Sequence, residues 1–469
     1  MQFTLLATDI LFLGLVCAAC GYAWYASRHE HLRAPWREVS RNSVALGAGT
    51  VLAAFLVVAV LDSIHFYPRL ESTDATDGSE HYGSEVISLF DQLVGPLRTQ
   101  VEKTYSAPFA IFAFSKETIE LGGGQTKRDY PRLNYGGAGL ADISERTGDI
   151  VRLSLVGIAA AILIWGIAAL FGLMLISRAR KMSITQTAKY VVDGKFAVSF
   201  RTIYLVTAAI SIAVGLCSAL APNYHILGTD KVGIDVLYQS LKSIRTGLVI
   251  GTLTTLVMLP FAIVLGVAAG YFRGRVDDAI QYFYTTLSSI PGVLLIASAA
   301  LILEVYMSRH ADDFTSLAAR ADLRLLALCV ILGITSWTGL CRLLRGETLK
   351  LRQIDFVEAA RAFGVRHQTI IARHMVPNIM HIVMISIVLD FSGLVLAEAV
   401  LSYINIGVDP SMESWGNMIN SARLELAREP IVWWSLVAAL VFMFVLVLAA
   451  NLFADAVRDA FDPRLRVIS

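Results

Sequence analysis

Residues 357–377 read VEAARAFGVRHQTIIARHMVP, a charged segment between two long apolar runs. Arg361, Arg366, His367, Arg373 and His374 give it five potential cations. Glu358, Ala359 and Ala360 begin a short amphipathic turn. Gly364 ends it, because glycine enters the left-handed region without a Cβ penalty. A second stretch, 368–375, precedes Pro377, which opens the next helix where its missing N–H costs little. Glu358 and Arg361 stand three apart and can pair with each other or with charges on a partner.

The flanks show what this loop connects. Of 469 residues, 56% are apolar and 16% charged, too few charges to cover a soluble globule of this size. Crossing about 30 Å of hydrocarbon takes roughly 20 residues. Apolar runs of that order lie at 3–26, 43–66, 152–177, 202–221, 245–272, 280–305, 323–341, 378–404 and 431–454, so nine spans are expected. With 27–42, 178–201, 273–278, 342–377 and 458–469 on the cytoplasmic side, that side holds most of the Lys and Arg, in accord with the positive-inside rule. The N-terminus is then outside and the C-terminus cytoplasmic. The first run lacks a basic leader and reads as a retained helix. The basic linker 27–42 suits an anionic inner leaflet, and Asp62 and His65 are expected to snorkel at the membrane interface.

Residues 67–150 form the one sizeable polar region. A loose tract at 71–84 leads into an amphipathic stretch of helical period at 86–104. Glycine-rich turns follow at 122–124 and 136–137. The insert is large enough for a small lid or docking module, not for a domain with a full core of its own.

Catalytic chemistry finds no foothold. HExxH, GxSxG and a P-loop are all missing, and GGGQTK at 122–127 does not satisfy GxxxxGK[ST]. The five cysteines fall within or at the ends of apolar runs, which argues against a disulfide framework or a metal site. No metal or cofactor is expected on this chain, and any ATP must be hydrolysed elsewhere. The net charge of +1 mixes two compartments, and nothing points to nucleic acid. One polar residue is out of place. Asp390 lies near mid-membrane, where a lone carboxylate costs roughly 2.5 to 3.5 kcal/mol. It either contacts substrate in a wet pathway or pairs with a neighbouring helix. Glu398, two turns later, is expected to brace an outer gate.

The spacing of Glu358-Ala359-Ala360, Gly364 and Pro377 resembles the EAA loop of ABC-importer permeases. The run Arg373-His374-Met375-Val376-Pro377-Asn378 is similar to the variant in the dipeptide and oligopeptide branch, with His374 and Val376 replacing the commoner Ile and Leu. From about Tyr204 onward the chain resembles the C-type subunit of that branch. The matches include Leu227-Gly228-Thr229-Asp230 with Gly233 and Asp235, Ala269-Gly270-Tyr271-Phe272 with Asp277, and Ser289-Ile290-Pro291. Later ones are Trp337 and Arg342, Glu398-Ala399, Ser414-Trp415-Gly416-Asn417-Met418 and Asp462-Pro463-Arg464. Lys231 and Ile234 depart from the usual choices, and 305–323 looks like an insertion.

The resemblance implies an all-α polytopic membrane protein of the bacterial inner membrane. A six-helix type I ABC-importer permease core at 202–469 would carry its EAA coupling loop at 346–377. Two N-terminal transmembrane helices with a basic cytoplasmic linker (1–66), an extracytoplasmic insert (67–150) and a third helix with a cytoplasmic loop (151–201) would be appended. The coupling set would be Glu358, Ala359, Ala360, Arg361, Gly364, Arg366, His367 and Pro377, seated on a partner ATPase as a coupling helix over 357–367. The element at 227–237 would lie outside and lead into a short surface helix. A second (B-type) permease, two ABC ATPases hydrolysing Mg-ATP and an extracytoplasmic solute-binding protein would complete the machine in the lipid bilayer. The cargo would be di- or oligopeptides, with nickel, glutathione or peptide-like antibiotics as alternatives. The rival from another class is a membrane enzyme or scaffold acting through the insert.

Overall fold

The computed structural model describes residues 2–68, 83, 86–120, 126–140, 142–310, 314 and 316–461. The tract expected at 71–84, apart from Gly83, lies outside the described residues, as do glycines 122–124 and Asp462, Pro463 and Arg464. In chain order come β1 (Gln2–Thr4), α1 (Ala7–Arg28), α2 (Glu30–Val39), α3 (Ser43–Asp62), β2 (His65–Tyr67) and β3 (Ile87–Ser88). Then follow α4 (Leu89–Leu93), α5 (Gly95–Thr99), β4 (Glu117–Glu120), β5 (Thr126–Asp129), α6 (Arg146–Arg180), α7 (Ile184–Val192) and α8 (Phe200–Leu220). The second half holds α9 (Val236–Phe272), α10 (Gly274–Ser289), α11 (Gly292–Arg309), α12 (Leu317–Ser336), α13 (Thr338–Leu351), α14 (Asp355–Ala362) and α15 (His367–Ile370). Helices α16 (Val376–Tyr403), α17 (Trp415–Glu425) and α18 (Trp434–Phe461) close the described chain.

Among the described residues, eight helices are long and apolar enough to cross a membrane: α1, α3, α6, α8, α9, α11, α16 and α18. Nine were expected. The seventh expected run falls on α12 and α13. Arg320, Asp322 and Arg324 in the first half of α12 make that helix too charged to join the eight. The sixth, 280–305, is divided into α10 and α11. Pro291 has no N–H to donate, and Ile290 before it is driven to extended backbone (φ −86°, ψ 131°). In the insert the single amphipathic helix expected at 86–104 becomes β3, α4 and α5, because Gly95-Pro96 starts a new helix. Helix α9 runs unbroken for 37 residues from Val236, so no separate surface helix follows the 227–235 element.

The chain forms two compact units. The first comprises 1–4, 36–245 and 413–449. In it β1, β2 and β3 form an antiparallel sheet in that order, which brings residues 2–4 beside 65–67. Asp62 does not snorkel. It is buried with its Oδ1 3.3 Å from the Lys242 ammonium and accepting from Ser88 Oγ at 2.6 Å. The same ammonium reaches both oxygens of Asp91 at 2.9 Å, and the Tyr238 hydroxyl donates to Asp91 at 2.8 Å. Burial raises the Asp91 carboxyl, and Lys242 with its other partners more than reverses this, holding it below the usual range.

A second polar cluster fastens the insert to the 227–235 element. His225 Nδ1 lies 2.8 Å from Asp235, and Nε2 lies 3.6 Å from Glu102. The Glu102 carboxylate accepts from the amides of Asn134, Tyr135 and Gly136. Thr229 Oγ1 accepts from the Ser106 amide at 2.7 Å, and the Trp434 indole donates to the Thr229 carbonyl at 2.9 Å. Gly233 has φ +84° and its carbonyl accepts from the Glu102 amide at 2.9 Å, and a Cβ there would overlap the Glu102 backbone. This close approach accounts for the glycine within the matched element.

The cluster gives a pH signature. Burial opposes charge on His225, but Asp235 and Glu102 raise it to about 9. Burial likewise opposes charge on Glu102, while His225 and the three amides lower it to about 2. The raised imidazole stabilises the clamp fully below its ordinary value of 6.5, and that contribution is lost as pH rises through about 9. The lowered carboxyl contributes above 4.5, and this is lost as pH falls through about 2. Protection of residues 102–120 and 126–137 from limited proteolysis is therefore expected to be greatest between pH 4.5 and 6.5. It should fall on titration toward pH 9, with His225→Gln flattening the alkaline limb.

The second unit comprises 5–35, 246–412 and 450–469. Asp322 of α12 accepts from the Thr8 amide at 3.1 Å and from the Thr8 hydroxyl, which joins the first turn of α1 to the second turn of α12. The core of this unit gathers Tyr271, Trp337, Leu344, Val357, Ile370, Met375 and Ile379.

Candidate functional site

The 346–377 segment stands on that core. Val357 on the underside of α14, with Ile370 and Met375 beyond it, is fully buried, while Glu358, Ala359, Arg361 and Ala362 face outward. Ala360 is half-buried against the same core. The helix stops where glycine allows it. Gly364 has φ +74°, its amide donates to the Arg361 carbonyl at 3.0 Å, and the Val365 amide reaches back to Ala360 at 3.1 Å. This pair of bonds is a Schellman cap, which satisfies the last carbonyls within a tight turn. The expected helix over 357–367 is thus two pieces, α14 and α15, joined by the cap.

Arg366 precedes α15 and is exposed. His367 is anchored by its Nδ1, 2.8 Å from the Tyr271 hydroxyl, with its ring edge-on to Tyr271 and Phe272. From His367 to Tyr403 the backbone is helical throughout, passing through a wider π-helical turn at Ile371–Met375. Pro377 sits in the first turn of α16, as its chemistry requires. Glu358, Arg361, Gly364, Arg366 and His367 line one concave patch at the start of this 37-residue helical run, while Pro377 lies ten residues along it.

Several contributors were not singled out in the sequence. Phe363 is 86% exposed at the turn, and Ile354, Phe356 and Val365 add exposed apolar surface around it. An aromatic side chain between Ala362 and Gly364 in a charged loop was the available signal. Arg345 clamps Asp277 with bonds of 2.6 and 2.7 Å, bracing α13 against α10 and holding the carboxyl below its usual range. Burial and the neighbouring Arg361 and Arg273 disfavour the charge on Arg352, a sign of concentrated positive potential beside the patch. Among the described residues Glu358 and Arg361 form no ion pair with each other, which leaves both charges outward.

Asp390 and Glu398 are not part of this patch. Asp390 is midway along the 28-residue α16, some 20 Å from its start at 1.5 Å per residue. Glu398 is buried and accepts from Ser402 Oγ at 2.7 Å, and that oxygen in turn accepts from the Val408 amide at 3.2 Å. It thereby ties the end of α16 to the following turn.

Among the described residues, eight membrane-compatible helices and a capped, exposed short helix next to a long helical run define a multi-pass membrane protein. Comparison with known proteins gives the family. Residues 262–467 match the family described as "Binding-protein-dependent transport system inner membrane component". An oligopeptide transport system permease of Haemophilus influenzae is 28% identical over 244 residues, 52% of this chain and 72% of the relative. A dipeptide transport system permease of Lactococcus lactis is 29% identical over 240 residues, 51% of this chain and 64% of the relative. A glutathione transport system permease of Pectobacterium atrosepticum is 31% identical over 242 residues, 52% and 73% respectively. The chain belongs to the inner-membrane permease family of ABC importers, in its peptide branch. It is a multi-pass transport subunit working with other ABC components, and not an enzyme.

Proposed function

We propose that this chain forms half of a translocation pathway for dipeptides or oligopeptides and couples to ATPase subunits through 346–377. The observation that carries the reading is α14, a short helix closed by Gly364, rooted in the core through Val357 and presenting Glu358, Arg361 and Phe363 outward. A stiff knob on a continuous rod transmits displacement; a solvated loop would absorb it. Ala359, Ala360, Arg366, His367 and Pro377 complete the coupling set.

The chain has one such knob, whereas two ATPases need two. A second, B-type permease therefore pairs with it, and an extracytoplasmic binding protein delivers the solute. Mg-ATP is hydrolysed by the ATPases, and this chain binds no cofactor. ATP binding closes the ATPase dimer and shifts the pathway between inward- and outward-facing states through their different nucleotide affinities. In this reading 67–150 lies outside and the C-terminus inside. The Lys and Arg distribution supports that orientation. Helices in 1–66 and 151–201 are additions to the core at 202–469. The names of the relatives support peptide cargo, and the Pectobacterium relative favours glutathione as the second reading.

Purification from the native membrane in mild detergent, followed by mass spectrometry, tests this. A second EAA-bearing permease and P-loop ATPases are expected to co-purify. Isolation of the chain alone, under conditions that keep other importers whole, would overturn the assignment.

A further inference from the structure

Asp390 lies at the centre of α16, where a lone carboxylate is costly in hydrocarbon and calls for a partner or water. Three other acids of the same unit that are withdrawn from solvent are satisfied within the chain. Asp322 accepts from Thr8, Asp409 lies 3.6 Å from Arg324, and Glu398 accepts from Ser402. Asp390 is half-buried and has no hydrogen bond or ion pair among the described residues. Its charge is thus left for something outside this chain.

The surroundings narrow what that is. The next residues on α16 point into the protein: Phe391 packs on Gly251 of α9, and Ser392 donates to Asn451 of α18 at 2.7 Å. Asp390 sits at the edge of this packed face. On its open side Gly393, one turn later, has no heavy atom near the place of a Cβ, and Ser386, one turn earlier, is only half-buried. The exposed face of α16 carries Leu389, Gly393, Leu396 and Val400, and Asp390 stands at its border with the buried face, with Ser386 one turn before it. A polar pair at that border, beside the gap that Gly393 leaves, suits the edge of a wet pathway. The carboxylate is also fixed to the rod that begins at the docking knob, so motion of the knob carries it.

We propose that Asp390 is a specificity residue of the translocation pathway that receives a cationic group, such as a free α-ammonium, on the passing solute. This deepens the importer reading and rests on it. The complete complex in proteoliposomes, loaded with binding protein and ATP, is offered a dipeptide with a free amino terminus and its N-acetylated counterpart. Asp390→Asn removes a charge-assisted contact and is expected to lower uptake of the free-amine peptide roughly 10- to 100-fold. Uptake of the acetylated peptide should be unchanged. The Asn variant removes the buried charge and should insert at least as well as the parent chain.

Equal loss of both peptides, no loss of either, or loss of the second permease from the Asp390→Asn complex would each overturn the inference, the last assigning the carboxylate to a subunit contact. A parent complex that takes up both peptides equally defeats this inference alone. One that takes up neither defeats the peptide-importer reading with it.

Discussion

Gly364→Pro is expected to abolish solute uptake while leaving membrane insertion at the parent level. The native φ of +74° is far from the −65° that the proline ring imposes, and the lost amide is the one that closes the cap on the Arg361 carbonyl. A proline so placed costs about 3 kcal/mol or more, roughly 100-fold in the population of correctly formed knobs. Gly364→Ala is a graded control. A Cβ meets no atom within 4 Å, so only the left-handed backbone opposes it, at about 1–2 kcal/mol. Glu358→Arg should also abolish uptake, by adding a cation beside Arg361 and Arg352 where the potential is already positive. Uptake in vesicles, with chain abundance in the membrane measured alongside, decides the matter. Normal transport by both Gly364→Pro and Glu358→Arg would remove the coupling role from this loop.

Lys242→Met should be the most destabilising single change in the first unit. Lys242 holds Asp62 and Asp91 together at 3.3 and 2.9 Å, and those side chains are only 3% exposed. Removing the cation strands two buried carboxylates, and breaking a buried ion pair in this way costs about 3–5 kcal/mol. The insert helix α4 and the end of α3 are expected to separate, which should appear as a lower unfolding temperature in detergent. Adding Asp62→Asn and Asp91→Asn to Lys242→Met should recover much of the loss, because no charge is then left unpaired. An unchanged unfolding temperature in Lys242→Met would show that the cluster contributes nothing to stability.

Much of the architecture was legible in the sequence because lipid imposes one requirement on every span. A chain in hydrocarbon must satisfy its own backbone, so long apolar runs become helices whatever their neighbours. The runs on α3, α8 and α16 therefore read directly, as did the proline that opens α16. The turn at Gly364 was legible for a related reason, since a left-handed cap is a local property of one residue. The sixth expected span misled because apolar content was continuous across Pro291 while the backbone hydrogen bonding was not.

The polar clusters were another matter. Lys242 lies just before the apolar run at 245–272, and Asp91 lies 151 positions earlier in a polar insert; nothing local predicts that they meet. Glu102 and His225 are equally distant in sequence, and Thr8 and Asp322 more so. Sequence by itself determined most of the apolar spans, the left-handed turn at Gly364 and, through its motifs, the transport family. Those features depend on periodicity, chain length and single-residue backbone preferences. Only the tertiary structure decided that Asp62 is buried against a lysine, that the insert is clamped to the 227–235 element, and that Asp390 lacks a partner among the described residues. A charge in a low-dielectric setting is governed by which groups lie within a few ångströms of it, and folding sets that proximity across stretches of chain that local pattern does not connect.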